Sequence, residues 1–258
     1  MSAPKKYKGM ALNIASGPTF VHFEWAMAIN ALAYPVGMNR FILASVKPRK
    51  DKNLHTRDMQ RELLAEKTLD LGAEFFLSID DDTVPPPHTI NELFYVMAQH
   101  PNAAVVGGIY PTKTTPEQPL VWKEIGGGPY WDWTVGDVFP CAGVGAGCMM
   151  VRTKVLENIP KPWFRDVSEP LMGVTERIGT QDIRIVGSGG TDDLYFCKKV
   201  ADAGYEIWAH GGVLPQHIET KYDEDGDAYA VFHKLPESTP PFQRYLERLK
   251  AKEGVESK

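Results

Sequence analysis

Short apolar runs alternate with segments of helical periodicity over the first 110 residues. The apolar runs predict strands at 10–15, 41–46, 75–79 and 103–109. Apolar residues spaced by three and four positions predict helices between them, at 21–33, 56–71 and 89–99. Alternation of this kind is typical of an α/β domain whose sheet is largely parallel.

Beyond residue 110 the chain becomes rich in Gly, Pro, Thr and Trp, which predicts long loops. Regular elements are predicted there as strands at 148–151 and 205–209 and helices at 153–158, 192–203 and 241–252. Long irregular stretches inside a compact domain are usually functional loops and seldom linkers. We therefore expect the second half of the chain to carry part of a binding site.

Composition narrows the class of protein. The chain has 258 residues, of which 43% are hydrophobic and 24% charged, with a net charge of −5 and a pI near 5.8. This balance argues against a protein whose whole surface binds nucleic acid, although the cationic run Lys47–Lys52 leaves a local basic groove open. No apolar stretch is long enough for a membrane-spanning helix, and no apolar region follows the basic N-terminus as in a secretory signal.

Three adjacent carboxylates, Asp80, Asp81 and Asp82, follow the predicted strand 75–79 and precede three prolines. We call them the acidic triplet. Because neighbouring carboxylates repel one another, they cannot all be buried as anions without a compensating cation. Mg²⁺ and Mn²⁺ prefer oxygen ligands of this kind, and ligands of open α/β sheets bind beyond the carboxyl ends of strands. The triplet therefore predicts a cation site, and an exposed acidic turn is the alternative.

Four segments, in this order, resemble the GT-A glycosyltransferases, in particular the family 2-like members. Residues 75–86 resemble the DxD strand end of that family, and 145–152 resemble the strand that begins its acceptor half. Asn53–Arg57 resembles the segment near its nucleotide pocket, and 190–196 resembles its acidic segment at the head of a helix. The similarity covers roughly residues 8–220 and is more specific for the fold than for the substrate.

This resemblance implies a Rossmann-like α/β fold, GT-A, with a mixed, mostly parallel central sheet flanked by helices. A single domain, 1–258, would comprise a nucleotide-sugar-binding half at 8–110, an acceptor-binding half at 111–225 and a C-terminal tail with a short helix at 226–258. The implied activity is metal-dependent transfer of a hexosyl or pentosyl group from a nucleoside-diphosphate sugar to an acceptor hydroxyl, with inversion at the anomeric carbon. A UDP-sugar is the preferred donor. A nucleotidyltransferase and a non-catalytic nucleotide-sugar-binding protein are the alternatives.

The resemblance also assigns metal ligands. Asp80 takes the first DxD position, near the ribose or the metal shell, Asp81 is the middle residue, and Asp82 coordinates Mn²⁺ or Mg²⁺. His217 falls where many members place a ligand from the C-terminal side, and His210 is the competing candidate. Because an imidazole suits Mn²⁺ better than Mg²⁺, His217 would favour manganese.

Catalysis is assigned to the acidic pair at the start of the predicted helix 192–203. Asp193 corresponds to the general base of inverting members, while Asp192 stands where a glutamate is commoner. Which of the two carboxylates faces the acceptor stays open. Alternatively, both complement the helix dipole, with Thr191 as the N-cap.

Further binding residues follow from position. The nucleotide-sugar set, besides Asp80 and Asp81, comprises Ala15, Ser16, Gly17 and Arg57. The acceptor set comprises Trp131, Trp133, Gly147 and Trp163. Aromatic faces stack on sugars and bases, but core packing under loops is the alternative for each tryptophan.

The acceptor, the oligomeric state and the donor sugar stay open at this level. Members of the resembled family act on polysaccharides and glycolipids, and compact viral relatives include enzymes that glycosylate modified DNA bases, so a nucleic-acid acceptor is compatible with the basic run. The three cysteines, Cys141, Cys148 and Cys197, have spacings that fit no disulfide framework. Together with the missing signal, they favour the cytoplasm, or the host cytoplasm if the protein is viral.

Overall fold

The computed structural model describes residues 9–16, 21–46, 56–167, 175–178, 181–184 and 191–256. Its helices are α1 (Phe23–Ala31), α2 (Arg57–Asp70), α3 (Thr89–Gln99), α4 (Lys154–Asn158), α5 (Asp192–Asp202) and α6 (Pro240–Glu256). Its strands are β1 (Gly9–Ser16), β2 (Asn39–Val46), β3 (Phe75–Asp80), β4 (Thr83–Val84), β5 (Ala103–Gly108), β6 (Val121–Trp122), β7 (Val138–Cys141), β8 (Gly143–Val144), β9 (Cys148–Arg152), β10 (Thr175–Ile178), β11 (Gln181–Arg184), β12 (Glu206–His210), β13 (Gln216–Tyr222) and β14 (Ala228–His233).

A seven-stranded sheet forms the centre, in the order β2-β1-β3-β9-β5-β12-β7. The pairs β1–β2, β1–β3 and β5–β12 are parallel, whereas β9 runs antiparallel to both of its neighbours and β7 runs antiparallel to β12. The predicted fold class, a mixed and mostly parallel sheet flanked by helices, is therefore confirmed.

Alternating side chains of the central strands feed two hydrophobic layers. On one face Ala11 and Phe76 pack with Phe196 of α5, and on the other Leu12 and Leu77 pack with Leu93 of α3. The side chains of Phe76, Leu12 and Leu77 are at most 2% exposed. This two-sided burial explains why the strands read as continuous apolar runs instead of an alternating pattern.

A smaller antiparallel sheet, β14-β13-β4, stands beside the central one. Its register places His217 opposite Thr83 on one side and opposite His233 on the other. Strand β14 lies in the segment 226–258, for which only a short helix was predicted. Within the described ranges, no helix has both the length and the apolar character needed to cross a membrane.

Candidate active site

The acidic triplet lies at the carboxyl ends of the central parallel strands. Strand β3 ends at Asp80, whose Cα is paired with that of Ala15 in β1. Two residues later, β4 pairs with β13 and so brings His217 opposite Thr83. The edge of the sheet and the added β-hairpin together place the triplet next to His217. The cation site expected from the sequence, shared by the triplet and His217, requires this closeness.

Asp80 is held by two arginines of α2. Both of its carboxylate oxygens accept hydrogen bonds from Arg61 Nη2, at 2.9 and 2.8 Å, and Arg57 Nη1 lies 2.7 Å from its Oδ2. The backbone carbonyl of Asp80 accepts a 2.7 Å hydrogen bond from the indole N–H of Trp25. A cation bound directly by Asp80 would have to displace these arginine contacts.

Arg61 joins Asp80 to Asp192 at the start of α5. Its Nη1 donates to the Asp192 carboxylate, and the side chains of Arg61, Asp80 and Asp192 are only 5%, 8% and 10% exposed. Burial raises the pKa of Asp192 even though Arg61 opposes the shift. For Arg61, burial acts to lower the pKa, but attraction to Asp80 and Asp192 outweighs it, so the guanidinium stays charged. Strand β3 and helix α5 are therefore linked by a buried ion-pair triad through Arg61 of α2.

Asp82 faces a histidine and a lysine. Its Oδ1 is buried without a hydrogen-bond partner and lies 3.5 Å from His217 Nε2, while its Oδ2 lies 2.7 Å from Lys113 Nζ. His217 Nδ1 lies 2.9 Å from the carbonyl oxygen of Pro111, which can only accept, so Nδ1 carries the proton of this hydrogen bond. Burial acts to raise the pKa of Asp82, but His217 and Lys113 outweigh it and hold the pKa well below its usual range.

The Asp82–His217 pair fits one flank of a divalent cation. An imidazole whose Nδ1 donates to a carbonyl oxygen leaves its Nε2 as the atom that can bind a metal ion, which is the usual arrangement of a metal-binding histidine. His217 Nε2 and the buried Oδ1 of Asp82 lie 3.5 Å apart, so a divalent cation held by both would replace their direct contact. Among the described residues, no set of three or more His, Cys, Asp or Glu side chains is arranged to hold a metal ion. Water and phosphate oxygens would therefore have to complete the shell, as is common for Mg²⁺ and Mn²⁺.

Asp193 has a different environment from its neighbour. Its Oδ1 accepts hydrogen bonds from the Thr191 hydroxyl and, at 2.8 Å, from the backbone N–H of Leu194, while its Oδ2 accepts a weaker 3.3 Å bond from Ala146 N–H. The side chain is half-buried, whereas Asp192 is buried against Arg61. Of the two predicted catalytic carboxylates, Asp193 is thus the more exposed, whereas Asp192 is bound to Arg61.

The backbone of 145–147 closes this side of the site against Tyr110. Gly147 N–H donates a 2.8 Å hydrogen bond to the Tyr110 hydroxyl, and Gly147 C=O accepts a 3.3 Å bond from Asp80 N–H. The Tyr110 ring meets the His217 ring edge to face, with centroids 5.3 Å apart. Burial raises the pKa of Tyr110, so its hydroxyl stays protonated. Gly147, predicted to bind the acceptor, here supports Asp80 and Tyr110.

Gly147→Ala should therefore disturb the site. A Cβ at this position would lie 2.6 Å from the Tyr110 hydroxyl and 2.7 Å from the Thr83 hydroxyl, both shorter than any normal contact. Overpacking of a buried site typically costs about 1–3 kcal/mol, and we expect a loss of that size in urea unfolding. Gly128→Ala tests the alternative that any alanine in these loops is harmful. Nothing lies within 4 Å of that Cβ, so its cost comes from the positive φ of +80° alone.

The predicted acceptor tryptophans are mostly core residues. Trp133 and Trp163 are each only 3% exposed, and their indole N–H groups donate to the carbonyls of Tyr130 and Ile159. This packing argues against an acceptor role for either ring. Trp131 is half-buried, and Arg244 of α6 donates to its carbonyl oxygen. The core alternative raised for these aromatics is the better interpretation.

Other predicted residues are placed as follows. Ala15 is buried in β1, and Ser16 ends that strand. Asp81 lies 4.0 Å from Arg57, within reach of an ion pair. His210, the competing ligand, contacts Glu92 instead of the acidic triplet. Gly17 and Lys47–Lys52 lie outside the described residues.

Sequence reasoning missed four residues of the site, namely Trp25, Arg61, Tyr110 and Lys113. One signal was available for Arg61, because it follows Arg57 by four positions and so lies on the same face of α2. The others come from elements distant in the chain, and nothing in their local pattern indicates that they meet at the triplet.

Comparisons with known proteins give structural relatives only. No protein-family model matches the sequence, and no curated protein matches it significantly. Among solved structures, A197 from STIV overlaps 88% of this chain and 96% of its own, with a TM-score of 0.55 and 15% identity. GalNAc-T7, in a structure with UDP, GalNAc and Mn²⁺, overlaps 83% of this chain and 44% of its own, with a TM-score of 0.50 and 10% identity.

At these identities the likeness concerns the fold and leaves activity aside. The chain covers less than half of GalNAc-T7 but nearly all of A197, so the shared part is the α/β domain itself. The central sheet, its flanking helices and these structural relatives agree with the fold that the sequence motifs resemble. The chain therefore has a GT-A-like α/β fold.

Proposed function

We propose that the protein is a metal-dependent glycosyltransferase that moves a sugar from a nucleoside-diphosphate sugar to an acceptor hydroxyl with inversion. The observation that carries the proposal is the closeness of a buried carboxylate oxygen and an imidazole nitrogen, Asp82 Oδ1 and His217 Nε2, 3.5 Å apart at the carboxyl end of the sheet. A buried carboxylate oxygen that accepts no hydrogen bond is costly unless a cation binds it. In a GT-A-like fold, that cation would be shared with a diphosphate.

Asp82 and His217 would hold the cation, which when bound supplies Lewis-acid neutralisation of the leaving diphosphate. Arg57 and the backbone near Ala15 would orient the nucleotide, since both lie at the same sheet edge as Asp80. The GalNAc-T7 structure contains UDP and Mn²⁺. By extension, we propose UDP and Mn²⁺ as the nucleotide and cation of this protein.

Asp193 would act as the general base. As the acceptor hydroxyl attacks the anomeric carbon, its proton passes to a carboxylate oxygen of Asp193, and the bond to the diphosphate breaks on the opposite side. The weakly bonded Oδ2 of Asp193 supports this role, because a base needs a free lone pair. Asp192, tied to Arg61, would position its neighbour instead.

Thermal unfolding with UDP and Mn²⁺ tests the proposal. We expect the two ligands together to raise the Tm of the parent, since a ligand that binds only the folded state stabilises it. Asp82→Asn should weaken Mn²⁺ binding by about 100-fold, because loss of even an outer-shell partner costs about 10–100-fold. Asp202→Asn is the matched control, as that carboxylate is 60% exposed on the far end of α5. An Asp82→Asn protein that keeps the full shift would refute the metal site.

A further inference from the structure

A short loop carries a lysine into the candidate site. Residues 111–119, the Lys113 loop, are closed at their base by a β-bridge between Pro111 and Pro119 and by a 2.8 Å hydrogen bond from Thr112 N–H to Gln118 C=O. The carbonyl oxygen of Pro111 also accepts a hydrogen bond from His217 Nδ1. The base of the loop is thus fixed to the candidate metal ligand.

Lys113 reaches from this loop to Asp82. Its Nζ lies 2.7 Å from Asp82 Oδ2, with side-chain exposures of 31% for the lysine and 22% for the aspartate. The ammonium therefore binds the same carboxylate whose other oxygen faces His217. If a metal cation binds Asp82, it competes with the Lys113 ammonium for the negative charge of that one carboxylate.

The charge balance of the site gives this competition a direction. The acidic triplet and the Asp192–Asp193 pair contribute five carboxylates, while Arg57, Arg61 and Lys113 supply three cations, so two negative charges remain. Arg61 is buried and committed to Asp80 and Asp192. Arg57, 41% exposed, pairs with Asp80, whereas Lys113 pairs with Asp82, the carboxylate that faces His217. Lys113 is therefore the cation whose partner a bound metal ion would take, and its ammonium can turn to a new acceptor.

We propose that Lys113 is a donor-binding residue that exchanges partners. Without ligand it neutralises Asp82, and when a divalent cation takes that carboxylate, its ammonium turns to the diphosphate of the nucleotide sugar. The proposal rests on the proposed function and adds to it a second positive charge on the leaving group. A lysine suits this task because its ammonium is a compact point charge with three rotatable donors, which a phosphate can accept in many orientations.

Exchange of partners predicts opposite effects on two affinities. In Lys113→Met, Mn²⁺ alone should bind about fivefold more tightly, because a competing, partly exposed ion pair has been removed. UDP in saturating Mn²⁺ should bind about tenfold more weakly, because one charge-assisted phosphate contact is lost. Lys113→Arg, which keeps the charge, should restore most of the UDP affinity.

Isothermal titration calorimetry of the full chain measures both affinities, with Mn²⁺ and UDP as the probes. The control is Lys198→Met, because Lys198 is 63% exposed and pairs with Asp202 on α5, and it should match the parent in both titrations. Circular dichroism melting confirms that each variant is folded, and Lys113→Gln provides a second neutral side chain.

Each outcome decides between explanations. Tighter Mn²⁺ with weaker UDP supports the exchange. If both affinities fall together, Lys113 only holds the loop in place, and if neither changes, it contributes nothing to binding; both results overturn the inference while leaving the proposed function intact. A parent protein that binds no UDP in Mn²⁺ would overturn the proposed function as well.

Discussion

Replacing Arg61 with methionine is expected to lower the free energy of unfolding by about 3–5 kcal/mol, as the removal of one partner from a buried ion pair does. The guanidinium is 5% exposed and is the shared partner of Asp80 and Asp192. Its loss would leave two buried carboxylates close together with little compensation, although Arg57 still reaches Asp80. Urea unfolding of the parent and variant measures the difference.

Two further variants separate charge from packing. Arg248→Met removes an exposed arginine that pairs with Asp137, and an exposed pair contributes only about 0–1 kcal/mol. Adding Asp192→Asn to Arg61→Met should recover part of the lost stability, because one unpaired buried charge is removed. If the double variant is no more stable than Arg61→Met alone, lost packing of the long side chain explains the effect and the electrostatic argument is wrong.

Most of the central fold could be predicted from the sequence because burial leaves a direct pattern there. Strands β1 and β3, covered on both faces, appear as apolar runs, and α3 shows a clear amphipathic period. The predicted limits of α3, residues 89–99, agree with the structure. Only the hydrophobic pattern is needed for such elements.

The β13–β14 hairpin was not predicted, for an identifiable reason. Along β13, only Ile218 is fully buried, and polar residues occupy both faces of the strand. The hairpin is positioned by pairing with β4, a two-residue strand just after the acidic triplet. Since that pairing joins residues far apart in the chain, neither strand has a local signal strong enough to reveal it.

Some features of the candidate site could likewise be predicted from the sequence, and others could not. The position of the acidic triplet at a strand end, and its closeness to His217, follow from the sequence pattern and the family resemblance. The triad of Asp80, Arg61 and Asp192 does not, because an arginine on a charged helix is usually solvated. Only the tertiary structure shows that this arginine of α2 is buried against β3 and α5.

The Asp193→Asn variant is expected to lose transfer activity by about 100- to 10,000-fold, the usual contribution of a general base, while UDP and Mn²⁺ still bind. An amide keeps the size of the side chain and can still accept the hydrogen bonds from Thr191 and Leu194, but it cannot take a proton at neutral pH. Sugar transfer to an acceptor and calorimetric binding of UDP should therefore respond differently to this single change.

Asp192→Asn provides the comparison, because the two residues are adjacent and have the same chemistry. Asp192 is buried against Arg61, so its amide variant should lose stability first and activity only as the position of α5 changes. Equal losses of activity in the two variants, at matched stability, would contradict the assignment of the base to Asp193. If Asp193→Asn instead abolishes UDP binding, this carboxylate contacts the nucleotide or its cation, and the base must be another group.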